Sequence, residues 1–164
     1  MKLFLLFIAA VPAMVFAQSK GFDKVKVKKA EDCKKGEPKV LEAANYVLSM
    51  PLHTTDEDYF EARKLIIEWQ TNTPDYTFQI DASATDISSD KENEMLLGVY
   101  LACLTKFALE NPDKAKDDLQ MKVGAFTLLA DYVAKAENKV KATKKIKKLL
   151  DAKEKGTMEE YCKG

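Results

Sequence analysis

The chain has 164 residues, of which 46% are hydrophobic and 32% are charged, and its 26 basic residues are balanced by 26 acidic ones. This composition is typical of a globular protein and excludes a disordered chain, as does the presence of only six glycines and five prolines. The formal net charge of zero argues against a dedicated nucleic-acid-binding protein, whose domain is normally strongly basic.

Residues 1–17 carry the most specific motif of the chain. A basic start is followed by the apolar run 3–16, and the small residue Ala17 precedes the polar Gln18. This order is typical of a secretory signal peptide. The run is too short for a membrane anchor, because roughly 20 apolar residues are needed to span a bilayer. We therefore expect cleavage after Ala17, a secreted or periplasmic protein, and no membrane span in the mature chain.

The segment that follows the predicted cleavage site is basic and only weakly apolar. Val25 and Val27 alternate among lysines, and no helical stripe is visible before residue 37. We interpret residues 18–36 as a flexible or loosely docked lead-in, and residues 37–164 as one helical domain.

Two helices are predicted in the first half of this domain. The first begins at Pro38, because proline suits the first helical position, and ends at Pro51. The second begins with a Thr55 cap and acids in its first turn, and it ends before Pro74. Its apolar members are Tyr59, Phe60, Ala62, Leu65, Ile66, Ile67 and Trp69.

Residues 75–89 interrupt the helical pattern. Tyr76, Phe78 and Ile80 alternate with polar residues, as in an extended segment with one side buried, and small polar residues follow them. We predict an extended strap laid over the bundle. The alternative is a functional loop, because long connections in compact domains are uncommon and sometimes functional.

The third and fourth helices are predicted to form the centre of the fold. Ser89 and Glu92 make a capping box, and residues 95–104 contain no charge, so this helix should be surrounded on nearly every side. The fourth helix ends near Ala136. Gly98 and Gly124 lie inside these helices, where glycine costs about 1 kcal/mol relative to alanine. We predict that at least one of them marks a close helix–helix approach.

The fifth helix carries a dense cluster of lysines opposite a clean apolar stripe. Ala142, Ile146, Leu149 and Leu150 fall within one sector at about 100° per residue. The opposite arc holds Lys141, Lys144, Lys145, Lys147 and Lys148. We interpret this arc as the solvated face of a surface helix; the alternative is a surface that binds an anionic lipid or glycan.

The charges are unevenly distributed along the chain. Residues 75–94 carry six acids and one lysine, whereas residues 135–155 carry nine lysines and three acids. These two regions either face each other or each face a partner. Taken together, the patterns predict an all-α fold, a compact bundle of about five helices with the strap between the second and third.

Three cysteines follow the predicted signal peptide. Because exported proteins meet oxidising conditions, two of them are expected to pair. Cys103 lies in the most apolar helix, whereas Cys33 and Cys162 lie in polar surroundings near the two ends of the domain. We predict a disulfide between Cys33 and Cys162.

No catalytic, metal or cofactor motif is present in the sequence. His53 is the only histidine, the cysteines are widely spaced, and no phosphate-binding glycine loop occurs. We therefore expect a non-catalytic exported protein without cofactors, either a protein-interaction domain for another exported protein or an envelope-associated structural domain. The alternative is a binder of an anionic surface or small ligand through the lysine arc or a pocket beneath the strap.

Overall fold

The computed structural model describes residues 19–164, and within them it contains helices and no β-strand. The predicted all-α class is confirmed, with seven α-helices in this range instead of about five. The predicted signal peptide, residues 1–17, lies outside the described residues. The helices are α1 (Ala30–Ser49), α2 (Glu57–Asn72), α3 (Ala82–Ile87), α4 (Leu96–Glu110), α5 (Asp118–Ala134), α6 (Lys144–Glu154) and α7 (Met158–Lys163).

Helix α1 begins well before the predicted start at Pro38. That proline lies inside the helix, at an exposed position, although an interior proline removes one backbone hydrogen bond. Upstream, Phe22 and Val27 are buried in the core. The segment 18–36 therefore contains core residues and the first turns of α1, and the predicted domain boundary at residue 37 falls within this helix.

The connection between α2 and α4 is part irregular and part helical. Residues 73–81 have no regular secondary structure. The ring centroids of Tyr76 and Phe78 each lie 5.7 Å from the centroid of the Trp69 ring. Ile80, in contrast, is 49% exposed. Asp81 then caps α3 by accepting a hydrogen bond from the Ala84 amide at 3.1 Å. The later part of the predicted extended segment is therefore a short helix.

Helix α4 is the central element of the fold, as its uncharged sequence predicted. Every residue from 98 to 105 is buried, and α1, α2, α3 and α5 all pack against it. Cys103 has no exposed surface. A helix buried on nearly all sides needs an apolar residue in every sector, and residues 95–104 meet that requirement.

The C-terminal helices cover α5. The Thr143 side chain caps α6 by accepting a hydrogen bond from the Ile146 amide at 3.3 Å. Ile146 and Leu149 are buried against the core, as the apolar stripe predicted, and the short α7 packs on both α5 and α6. This arrangement turns Lys144, Lys145, Lys147 and Lys148 of the predicted arc towards solvent, whereas Lys141 and the exposed Ala142 precede the helix.

Gly98 and Gly124 each leave room for a large side chain of another helix. A Cβ atom at Gly124 would lie 2.1 Å from Cδ2 of Phe107, and one at Gly98 would lie 2.2 Å from Nη2 of Arg63. Real Cβ atoms do not approach other atoms so closely. The two positions therefore allow α5 to meet α4, and α4 to meet α2, at short range, as predicted.

The contact at Gly124 makes a prediction about stability. Gly124→Ala should lower the free energy of unfolding by about 1–3 kcal/mol, because the Phe107 ring must shift, even though alanine gains about 1 kcal/mol in helix propensity. Urea denaturation measures the change. In a Phe107→Leu background the same substitution should be neutral or stabilising. An alanine variant as stable as the parent in the unmodified chain would contradict the packing described.

Candidate interaction surfaces

The five lysines of the predicted arc are all exposed, and two of them are paired within the protein. Lys141 Nζ lies 3.3 Å from Asp90 Oδ2 and 2.8 Å from Glu92 Oε1. Lys145 forms an ion pair with Asp86. Hydrogen bonds to Glu92 and Asp90 raise the pKa of Lys141 above its ordinary value. The acidic and basic regions of the sequence therefore face each other along this edge.

The remaining three lysines of the arc are Lys144, Lys147 and Lys148. Within residues 19–164, none of them has a carboxylate within 4.0 Å. They lie on one exposed face of α6. The part of the arc with uncompensated positive charge is therefore smaller than the sequence suggested.

A second surface lies on the outer side of α2. Phe60 and Ile67 are 45% and 47% exposed, unlike the other apolar residues of this helix, which are buried. They are seven residues apart, so they lie on the same face, two helical turns from each other. Together with Arg63, Lys64 and Glu68 they line a shallow groove of about 490 Å³, hereafter the α2 groove.

Arg63 is the only arginine of the chain and is one of the residues that line the α2 groove. Its guanidinium carbon is 5.7 Å from the centroid of the Tyr59 ring, and its Nη1 atom is 3.5 Å from Met95 Sδ. Its Nε atom is buried and has no hydrogen-bond partner within the described residues. No carboxylate of residues 19–164 forms an ion pair with it.

Sequence reasoning did not find this surface. It listed Phe60 and Ile67 among the apolar members of the second helix, because a broad apolar stripe does not show which edge stays uncovered. The sequence did contain one indication, because Arg63 is a single arginine in a chain with many lysines. Arginine differs from lysine in its planar, multidentate donors, which suit carboxylate recognition.

A cavity of about 190 Å³ lies beneath residues 73–81. Thr77, Gln79 and Asp81 line it on one side, and residues of α4 and α5, including Tyr100 and Lys122, line the other. The Tyr100 side chain is almost fully buried, and this burial raises its pKa. The position matches the pocket that the alternative interpretation of the sequence placed under the predicted strap.

The charged groups of this cavity bond to one another. Lys122 Nζ lies 2.5 Å from Asp81 Oδ2 and donates a hydrogen bond to the Cys162 carbonyl at 2.6 Å. Gln79 donates to Asp118 at 2.8 Å. Burial alone would raise the pKa of Asp81, but hydrogen bonds from Lys122 and the Ala84 amide outweigh it and lower that pKa. These contacts tie residues 73–81 to α5.

The predicted disulfide between Cys33 and Cys162 is not formed. Both residues and Cys103 are free, buried cysteines. Cys33 lies in α1, and its thiol donates a hydrogen bond to the Val27 carbonyl at 3.1 Å. Cys162 lies in α7, a helix that packs against α5 and α6. Burial raises the pKa of Cys162 to about 11, so its thiol is protonated at neutral pH.

Neither a metal site nor a membrane-spanning helix is found in the described part of the chain. His53 is exposed in a turn, and no three histidine, cysteine or acidic side chains of residues 19–164 are grouped to hold a metal ion. None of the helices in this range is long and apolar enough to cross a bilayer.

The chain was also compared with protein-family models, with curated proteins and with solved structures, and none of these three comparisons finds a match.

Proposed function

We propose that the mature chain is a non-catalytic exported helical domain that binds another exported protein through the α2 groove. The observation that supports this proposal is the exposure of Phe60 and Ile67 on one face, with charged residues around them. An apolar patch with a charged rim is typical of a surface that another protein covers. The expected secreted or periplasmic localisation rests on the signal-peptide motif of residues 1–17.

The surroundings of α2 make it a rigid platform. Trp69 Nε1 donates a hydrogen bond to the Cys33 carbonyl at 3.2 Å, and Gln70 Nε2 donates to Thr105 Oγ1 at 2.8 Å. A surface that is already ordered loses little conformational entropy when it binds. In this proposal the compact bundle, with residues 73–81 as a strap across it, serves as a scaffold that presents the groove.

The proposal predicts that binding depends on the two exposed apolar residues. A Phe60→Ser/Ile67→Ser variant should lose at least tenfold in partner capture from the secreted or periplasmic fraction, because two apolar side chains no longer leave water. The matched control is Ile80→Ser, which removes an equally exposed apolar side chain elsewhere. Circular dichroism checks that both variants fold. Undiminished capture by the double variant would contradict the proposal.

A second candidate function is the binding of an anionic lipid or glycan surface through α6. It is favoured by the three lysines that lack an internal acid partner, Lys144, Lys147 and Lys148. Each lysine near an anionic membrane contributes about 1 kcal/mol, and this attraction falls off with added salt.

The paired and unpaired lysines provide a matched test of this second function. Substitution of Lys144, Lys147 and Lys148 by glutamine should reduce binding to anionic phospholipid vesicles, or to a sulfated glycan, at least tenfold at low salt. Substitution of Lys141 and Lys145 by glutamine should reduce it less than threefold, because internal carboxylates already neutralise them. Sedimentation with vesicles gives the affinities. Equal losses in both variants, or no binding by the parent, would argue against a site on α6.

A further inference from the structure

We propose that the α2 groove selects a partner segment with a carboxylate between two large apolar side chains, and that Arg63 recognises this carboxylate. The inference rests on the proposed protein-binding function and adds the chemistry of the partner. Four features of the groove support it: the unpaired charge of Arg63, its unused hydrogen-bond donors, its fixed position and its place between the two apolar residues.

The first feature is an uncompensated charge. Many basic residues of the described chain have an acidic partner; in the groove itself, Lys64 Nζ lies 3.6 Å from Glu61 Oε2. None of the ion pairs within residues 19–164 includes Arg63. A cation that is partly buried without a counterion is costly, so it calls for an explanation.

The second feature is unused hydrogen-bonding capacity. A guanidinium group has five N–H donors, and its planar fork fits a carboxylate with two parallel hydrogen bonds. Arg63 makes one contact of this kind in the described structure, from Nη1 to the weakly accepting sulfur of Met95. Its Nε atom is buried and is therefore out of reach of an acceptor from outside. Its Nη2 atom is not fully buried and donates no hydrogen bond within residues 19–164, so it is the donor that a carboxylate from outside would meet.

The third feature is a fixed position. The guanidinium group of Arg63 packs directly over Gly98 of the central helix, where any side chain would collide with it. The ring of Tyr59 lies on another side of it. Because the long side chain is already held in place, binding a carboxylate does not require the further loss of its rotamer freedom.

The fourth feature is the order of residues along the groove. Phe60 precedes Arg63 by three residues and Ile67 follows it by four, and all three line the same groove. At a rise of about 1.5 Å per residue, the two apolar residues are roughly 10 Å apart along the axis, and Arg63 lies between them along the helix. Glu68 lies beside Ile67 and repels an acid at that end. The partner therefore places its carboxylate centrally and its apolar groups on either side.

The cavity beneath residues 73–81 carries no comparable argument, because its charged side chains bond to each other. Lys122 forms an ion pair with Asp81 and donates a hydrogen bond to the Cys162 carbonyl. The groove is the place in the described structure where a cation without an ion pair and exposed apolar side chains occur together.

Selection from a library tests the inference without a known partner. The probe is a phage-displayed library of random dodecapeptides, selected on the folded chain without its predicted signal peptide. Enriched peptides should carry an aspartate or glutamate between two large apolar residues. In a synthetic copy of such a peptide, replacing the acid by its amide should weaken binding to the parent protein at least tenfold. The same replacement should weaken binding to an Arg63→Gln variant less than twofold.

Three protein variants separate charge, geometry and folding. Lys64→Gln removes a neighbouring exposed cation and should change the affinity less than threefold. Arg63→Lys keeps the charge but loses the planar fork, so its affinity should lie between those of the parent and Arg63→Gln. Circular dichroism and thermal unfolding check that each variant folds.

The single arginine also gives a direct spectroscopic signal. In a ¹⁵N-labelled sample, the only arginine Nε–H resonance belongs to Arg63. The acid-containing peptide should shift this resonance, and its amide counterpart should leave it nearly unchanged. This readout does not depend on a substitution that weakens the fold.

Other outcomes would overturn the inference in distinguishable ways. Peptides that require Phe60 and Ile67 but show no preference for an acid would refute the role of Arg63 and leave the proposed function intact. Binding that survives Phe60→Ser/Ile67→Ser would refute both. Self-association of the parent that this double substitution abolishes would assign the groove to a second copy of the chain, and would also refute the inference.

Discussion

The burial of α4 is the constraint on which the rest of the structure depends. A helix with no charge over residues 95–104 has no side that favours water, so other helices must cover it around most of its circumference. Helices α1, α2, α3 and α5 do so. The two glycines are part of the same constraint, because Gly98 admits Arg63 and Gly124 admits Phe107 where the helices meet.

This central helix also determines which surfaces are left for function. Helix α2 buries one side against α1 and α4, so Phe60 and Ile67, at its outer edge, find no covering element in the described structure. Helix α6 packs on α5 and turns its lysines outward, but acids of the connection before α4 pair with Lys145 of this helix and with Lys141 just before it. The proposed interaction surface is thus a consequence of how the bundle closes, and its chemistry comes from Arg63.

The features predictable from sequence were those encoded in local periodicity. The all-α class, the burial of α4, the apolar stripe of α6 and the close approaches at the glycines all follow from short-range patterns. Helix α1 was placed too late because Pro38 was interpreted as a first helical residue, although an exposed proline can be accommodated inside a helix that is otherwise well packed. Helix α3 was missed because six residues are too few to show a period.

Features that depend on tertiary proximity were not predictable in the same way. Sequence context distinguished the buried Cys103 from the other two cysteines. It could not show that Cys33 and Cys162 lie in different parts of the bundle and do not form the predicted disulfide. The pairing of Lys141 with Glu92 was foreseen only as one of two possibilities. The position of Arg63 between α2 and α4 left no local trace other than its rarity. Export remains a prediction, because it rests on residues 1–17.

The most direct test of the central claim is thiol modification of Cys103, followed by mass spectrometry with and without denaturant. This side chain has no exposed surface in the middle of α4, and burial raises its pKa, so only a protonated, inaccessible thiol is present in the folded protein. The account predicts that Cys103 stays unmodified at neutral pH until the protein is denatured, and then reacts fully. Ready modification of Cys103 in the native protein would show that α4 is not the centre of the fold.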